Sequence, residues 1–286
     1  MLVSLREIFE NNKGYATGAF NITNLETLQA AIGAATKTNK GIILNYADAH
    51  SNYIDLDTIG PIMLMEAERA SVPVCVHLDH GNTRECCIKA LTMGFRSVMY
   101  DASGKDFETN VAETADMVQI AHSFGATVEA ELGHILVHDK DMAESGVSMQ
   151  EDVSNVYTDP DKAAEFVERT SVDALAIAFG TAHGIYRVQP VLDLDRISLI
   201  KEKVNVPLVM HGGSGLTDEQ YRTAVRNGIR KINYYTYLSL YGGHEVAKYI
   251  GETPEEDISF HDLVLVGRDA MEEKLIHTIE TFSLCG

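Results

Sequence analysis

Three histidines close three separate short apolar runs, and glycine follows each at once. They are His80 in Val-Cys-Val-His-Leu-Asp-His-Gly, His183 in Ala-Phe-Gly-Thr-Ala-His-Gly and His211 in Pro-Leu-Val-Met-His-Gly-Gly-Ser-Gly. An imidazole beside a glycine-opened turn suits a metal ligand, because the ring reaches inward while the backbone leaves room for ion and substrate. Any one of them alone reads equally well as a core or turn histidine. The threefold repetition of one context favours a shared ion, and three neutral ligands with an open position is the arrangement of a catalytic zinc.

Other polar residues gather at the same run ends. Asp79 precedes His80, and strand alternation sends their side chains to different faces until the strand ends. Its carboxylate is either a general acid or base or a partner that orients a ligand histidine, and the residues alone favour the second. Asp101 and Glu131 are further carboxylates that either bind a second cation or hold the ligands, and Asp101 before Ala-Ser-Gly is equally a turn cap. The turn His211-Gly212-Gly213-Ser214-Gly215 runs toward a helix expected to begin near Leu216-Thr217-Asp218. Consecutive glycines and a helix start together aim amides at an anion such as phosphate. Asn233 and Thr236 add an amide and a hydroxyl facing the same anion.

The elements that must position these groups are eight β-like runs: Tyr15–Asn21, Gly41–Ala47, Val72–Asp79, Ser97–Asp101, Ala126–Leu132, Ala174–Gly180, Pro207–Gly212 and Lys231–Thr236. They are continuous rather than alternating, as parallel strands covered on both faces should be. Helical patterns lie between them, with Leu25, Leu28, Ile32 and Ala35 behind a cap at Asn24, and Met271, Leu275, Ile279 and Phe282 near the end. Eight strand-helix units predict an α/β fold, a (β/α)8 TIM barrel in a single domain spanning 1–286, with His80, His183 and His211 at its C-terminal mouth. The segment from Gly133 to Asp159 is too long for an ordinary connection and reads as a lid or as a charged insertion.

The composition narrows the partners. With 42 acidic against 23 basic residues and a net charge of −19, the chain repels nucleic acid and anionic membrane surfaces. No run approaches the roughly 18 apolar residues of a membrane span, and acidic residues interrupt the N-terminal segment where an export signal needs an apolar stretch. The four cysteines, Cys75, Cys86, Cys87 and Cys285, form no Cys-x-x-Cys pair, so a reduced, cytoplasmic setting is expected.

Taken together the motifs resemble the class II, zinc-dependent fructose/tagatose-bisphosphate aldolase family over nearly the whole chain. The matching segments are Gly18-Ala19-Phe20-Asn21 with Asn24-Leu25-Glu26, His77-Leu78-Asp79-His80-Gly81, Val128-Glu129-Ala130-Glu131-Leu132-Gly133, Tyr157-Thr158-Asp159-Pro160, Gly180-Thr181-Ala182-His183-Gly184, His211-Gly212-Gly213-Ser214-Gly215 and Lys231-Ile232-Asn233. The resemblance implies that His80, His183 and His211 hold Zn2+ and that Asp79 is the acid protonating the nascent C4 alkoxide in the cleavage direction. It implies a phosphate site at Gly184, Gly212, Gly213, Ser214 and the segment Asn233, Tyr234, Tyr235 and Thr236, with a monovalent cation (Na+ or K+) beside it. Asp101 and Glu131 match positions lining the metal pocket. The partners implied are a phosphorylated ketose and dihydroxyacetone phosphate, with the chain assembled as a homodimer or homotetramer.

The departures bear on substrate choice. Where members read Gly-Gly-x-Glu-Asp in the long loop, this chain has Leu136-Val137-His138-Asp139-Lys140, so Asp139 stands at the place of the proton-shuttling glutamate. Tyr235 occupies the variable place of the last strand and is expected to narrow or reshape the sugar pocket, and Leu265 falls where many members carry an arginine for the distal phosphate. A ketose without a distal phosphate, such as a sugar acid or a longer ketose 1-phosphate, is the expected substrate. Two other readings are a catalytically weak sugar-phosphate-binding barrel and a zinc-dependent barrel hydrolase. The second usually carries His-x-His on the first strand, which Ala19-Phe20-Asn21 lacks.

Overall fold

A computed structural model describes residues 1–137, 157–186 and 189–285. Its strands are β1 Thr17–Asn21, β2 Ile42–Ala47, β3 Val74–Gly81, β4 Ser97–Tyr100, β5 Thr127–Leu132, β6 Leu136–Val137, β7 Ala174–Ile177, β8 Ala182–His183, β9 Leu208–Met210 and β10 Ile229–Tyr234. Eight of them close a barrel in the order β1-β10-β9-β7-β5-β4-β3-β2, with parallel pairing throughout and helices between successive strands. The (β/α)8 expectation is met. Among the described residues no helix is long and apolar enough to cross a membrane.

The two-residue alternation of each strand sorts its side chains. Outward-facing residues such as Phe20, Leu44, Val76, Leu78, Val128 and Ile232 join the helices in one continuous core, each side chain worth roughly 1.5–3 kcal/mol of burial. Inward-facing Ala19, Ile43, Cys75, Ala174, Ala176 and Val209 form a separate apolar floor, sealed by Leu5 and Ile8 of the helix Leu5–Asn11. Two residues beyond Ala19, Ile43, Cys75 and Val209 the inward positions turn polar at Asn21, Asn45, His77 and His211, and β5 and β10 add Glu129 and Lys231, all buried. The barrel interior thus grades from hydrocarbon at one end to chemistry at the other, where barrel active sites are built.

The helices follow their sequence signals. Asn24 caps Leu25–Thr38 in a capping box, and Leu28 and Ala35 are buried, although Leu25 at its start is exposed. The terminal stripe Met271, Leu275, Ile279 and Phe282 is buried throughout in the helix Phe260–Phe282.

Five expected strand ends shift: the fourth stops at Tyr100 and the seventh at Met210, and three others move as well. The sixth run stops at Ile177, because the Ala178 amide donates to Thr158 Oγ1 at 2.8 Å and its carbonyl accepts from the Thr158 amide at 2.9 Å. The third runs on to Gly81. The eighth ends at Tyr234, since Tyr235 caps the helix Thr236–Glu252.

Candidate active site

His80 reaches the mouth by a break in strand geometry. Its φ is +50°, a left-handed conformation that costs a non-glycine residue on the order of 1 kcal/mol. The pairing of β3 with β4 shifts register between Leu78 and Gly81. This bulge cancels the alternation that would send His80 outward, so Asp79 and His80 both face the cavity. His211 follows β9 directly. His183 sits instead on β8, which pairs with β6 in a two-stranded sheet separate from the barrel.

The three rings converge. One ligand nitrogen from each of His80, His183 and His211 lies within 4.8 Å of the others, a spacing that an ion bonded at roughly 2.0–2.1 Å to each closes with small side-chain adjustment. His80 Nδ1 is held by Asp101 Oδ2 at 2.7 Å and His211 Nε2 by Glu129 Oε1 at 2.8 Å. The remaining nitrogens, His80 Nε2 and His211 Nδ1, face each other at 2.8 Å. The His80 and His211 rings therefore each have one nitrogen fixed by a carboxylate and one presented to a common point, as metal-binding histidines do. Burial pushes His183 down to about 4 and His211 well below its ordinary value, so both rings are neutral donors. Burial also opposes charge on His80, but the carboxylates of Asp79 and Asp101 outweigh it and lift the ring to about 9. A cation binding there displaces that proton.

Asp101 does both jobs that its position allows: Oδ2 orients His80, while Oδ1 accepts from the Ser103 amide at 3.0 Å and hydroxyl at 2.7 Å. Glu131 joins His80 and Asp101 in a second group of donors within 4.8 Å. Burial pushes its carboxyl up to about 8, and its Oε2 has no hydrogen-bond partner among the described residues. Asp79 is buried between two amides, accepting from Asn233 Nδ2 at 2.9 Å and Asn21 Nδ2 at 3.2 Å. Burial would raise its carboxyl, yet the charges of His80 and Lys231 outweigh that and hold it well below the usual carboxylate range.

Asp79, His80, Asp101, Glu131 and His183 line one cavity of about 540 Å3 together with Asn21, His50, Gly184, Gly212, Ser214, Asn233, Tyr234, Tyr235 and Thr236, and His211 lies buried behind it. One stretch of its wall is built of backbone and hydroxyl groups able to receive an anion. Gly212 has a φ of +61° and lies so close to the Ala182 backbone that a Cβ would meet it at 2.6 Å, so only glycine fits. Ser214 Oγ accepts from the Tyr235 amide at 2.9 Å. The helix Thr236–Glu252 then starts without a side-chain cap, leaving first-turn amides for an anion.

The helix expected after the glycine turn does not line the cavity. Asp218–Asn227 satisfies its own N-terminus through the Thr217/Gln220 capping box, and the helix facing the cavity is the next one. Gly213 is absent from the cavity wall and packs under Ile232 and Met210. Tyr234 turns its ring toward Phe282, with centroids 6.3 Å apart, so it offers the cavity main chain. Asp139 lies outside the described residues.

The model of the family described as fructose-bisphosphate aldolase class-II matches residues 3–286. The chain belongs to that family. It is 37% identical to the uncharacterized protein YdjI of Escherichia coli K12, covering 100% of this chain and 99% of that protein. It is 36% identical to the fructose-bisphosphate aldolase of Geobacillus stearothermophilus, covering 100% and 98%. The crystal structure of the YdjI aldolase superposes with a TM-score of 0.85 at 35% identity, covering 99% of this chain and 97% of that one.

In this class II aldolase family member, sequence reasoning overlooked a fully buried polar chain beneath the histidines. Glu129 Oε2 accepts from Lys231 Nζ at 2.7 Å, Lys231 Nζ lies 3.3 Å from His77 Nε2, and His77 Nδ1 lies 2.7 Å from Ser97 Oγ. All four side chains are inaccessible to solvent, and a buried carboxylate is tolerable only when paired in this way. The signal was present as spacing: Glu129, His77 and Lys231 each stand two residues before a mouth residue, on the same inward face. Because Glu129 fixes His211, Glu129→Gln should weaken zinc binding about 10- to 100-fold. Chelator-competition titration measures this, and an unchanged affinity contradicts the orienting role.

Proposed function

We propose that this protein is a zinc-dependent class II aldolase that reversibly cleaves a ketose 1-phosphate to dihydroxyacetone phosphate and an aldehyde. The observation carrying this reading is the convergence of His80, His183 and His211 nitrogens beside Asp79, in a cavity that also holds an anion cradle. Imidazole donors with an open side suit zinc. When bound, zinc supplies Lewis-acid stabilisation of the charge that develops on the ketose oxygens.

The chain's own residues do the rest. Gly184, Gly212, Ser214 and the start of Thr236–Glu252 hold the C1 phosphate, and Asn21 and Asn233 fix the Asp79 carboxylate. Proton balance reverses the direction expected for Asp79. In cleavage the C4 hydroxyl must lose its proton as the C3–C4 bond breaks, and the depressed Asp79 carboxylate takes it as a base. In condensation the same group returns that proton to the nascent alkoxide. The electron pair stays on the three-carbon fragment, which is protonated at C3 to become dihydroxyacetone phosphate. That transfer falls to the loop acid, for which Asp139 stands at the family glutamate's place.

The distal end of the substrate carries no phosphate in this reading. Among the described residues lining the cavity there is neither lysine nor arginine, and Leu265 is an exposed residue of Phe260–Phe282 away from that wall. Without a charge-assisted contact a bisphosphate loses roughly 1.5–3 kcal/mol, about tenfold to over a hundredfold in specificity. A screen of fructose and tagatose 1,6-bisphosphates against their 1-phosphates, coupled to dihydroxyacetone phosphate detection, should show higher kcat/KM for the 1-phosphates. A bisphosphate turned over near 10⁵ M⁻¹s⁻¹, within the ordinary enzyme range, and about tenfold better than its 1-phosphate contradicts the assignment.

A further inference from the structure

We propose that His50, packed against Tyr235, is a specificity-determining residue that binds a hydroxyl of the aldehyde-derived half of the ketose. The proposal rests on the aldolase reading above and adds the residue that reads the far side of the scissile bond.

The placement comes from barrel order. The phosphate cradle is built after β8, β9 and β10, while Asp79, which handles the C4 oxygen, ends β3. A ketose anchored at the cradle and passing Asp79 extends its remaining carbons toward the neighbouring β2 rim, whose cavity-lining residues are Ala47, Ala49 and His50. The two alanines offer no side-chain polar group. His50 is the residue on that rim able to hydrogen-bond a sugar.

Its local chemistry is unusual for a surface turn. His50 belongs to the short helix Asp48–His50 directly after β2. Its ring lies 4.6 Å from that of Tyr235, centroid to centroid, and 5.7 Å from that of Tyr53. Aromatic contacts at these separations hold a ring in place. Its Nδ1 is nonetheless buried without a hydrogen-bond partner among the described residues, whereas buried polar atoms nearly always have one. A fixed ring on the cavity wall, one of whose nitrogens no described residue engages, is a recognition element. Burial lowers the imidazole's affinity for a proton, so the ring is neutral and presents one donor and one acceptor. That pairing suits a hydroxyl, and it provides no charge to balance a phosphate.

Condensation of dihydroxyacetone phosphate with glycolaldehyde and with erythrose tests the proposal in the zinc-loaded enzyme. Glycolaldehyde has too few carbons to reach the β2 rim, and erythrose reaches it. His50→Ala removes ring and nitrogens, and His50→Phe keeps the ring contact while removing the hydrogen bond. In each variant the erythrose-to-glycolaldehyde ratio of kcat/KM should fall by about tenfold or more, because a site built to hydrogen-bond a hydroxyl loses discrimination when its polar group is removed. A ratio within about threefold of wild type in both variants overturns the role of His50. The wild-type enzyme separates this failure from that of the parent reading. If it exchanges the C3 proton of dihydroxyacetone phosphate with deuterated solvent while the ratios stay fixed, only the His50 assignment falls. If it shows neither exchange nor condensation, both fall.

Discussion

Asp79→Ala should lower carbon–carbon cleavage by about 10²- to 10⁴-fold, the usual contribution of a positioned acid or base, while zinc content stays at the wild-type level. The split follows from the geometry. Asp79 spends its two oxygens on Asn21 and Asn233 rather than on a histidine ring, whereas His80 and His211 are oriented by Asp101 and Glu129. Removing the carboxylate therefore removes a proton acceptor and leaves the ligand rings held. Metal analysis beside steady-state kinetics decides the matter. If zinc leaves with the carboxylate, Asp79 is a support for the metal and its part in proton transfer is unsupported.

His183→Ala should abolish zinc retention and cleavage together, with little change in the fold. His183 lies on a two-residue strand beside the barrel, so its ring contributes to the site and not to the packed wall. Losing one of three protein ligands leaves an incomplete coordination sphere. Circular dichroism should match that of the metal-stripped wild type, and elemental analysis should find the mutant empty after dialysis. Full metal content in that mutant removes His183 from the ligand set.

The sequence made the barrel legible because parallel strands buried on both faces read as unbroken apolar runs, and each appears within a few residues of its observed position. The strand-end histidines were legible for the same reason: a polar residue terminating such a run stands at the mouth. Four features were hidden. The bulge at His80 depends on a φ of +50° that no residue type announces, so the sequence let Asp79 and His80 both reach the mouth without showing the break that brings them there. Which helix start faces the cavity was not legible, because capping boxes signal helix starts without saying which start is left unsatisfied; Thr217 closes one, and Tyr235 leaves the other open. The Glu129, Lys231 and His77 chain was missed because charged residues inside apolar runs look like strand edges until inward alternation is counted from the mouth. His50 was overlooked altogether, since its role depends on a tertiary contact with Tyr235.

The most direct test of the account is back-titration of chelator-stripped protein with zinc, reading dihydroxyacetone phosphate release from a ketose 1-phosphate. The account predicts negligible release from the stripped protein and a linear rise that saturates near about one zinc per chain, as expected for a single catalytic ion. Undiminished release from protein stripped of metal would contradict it.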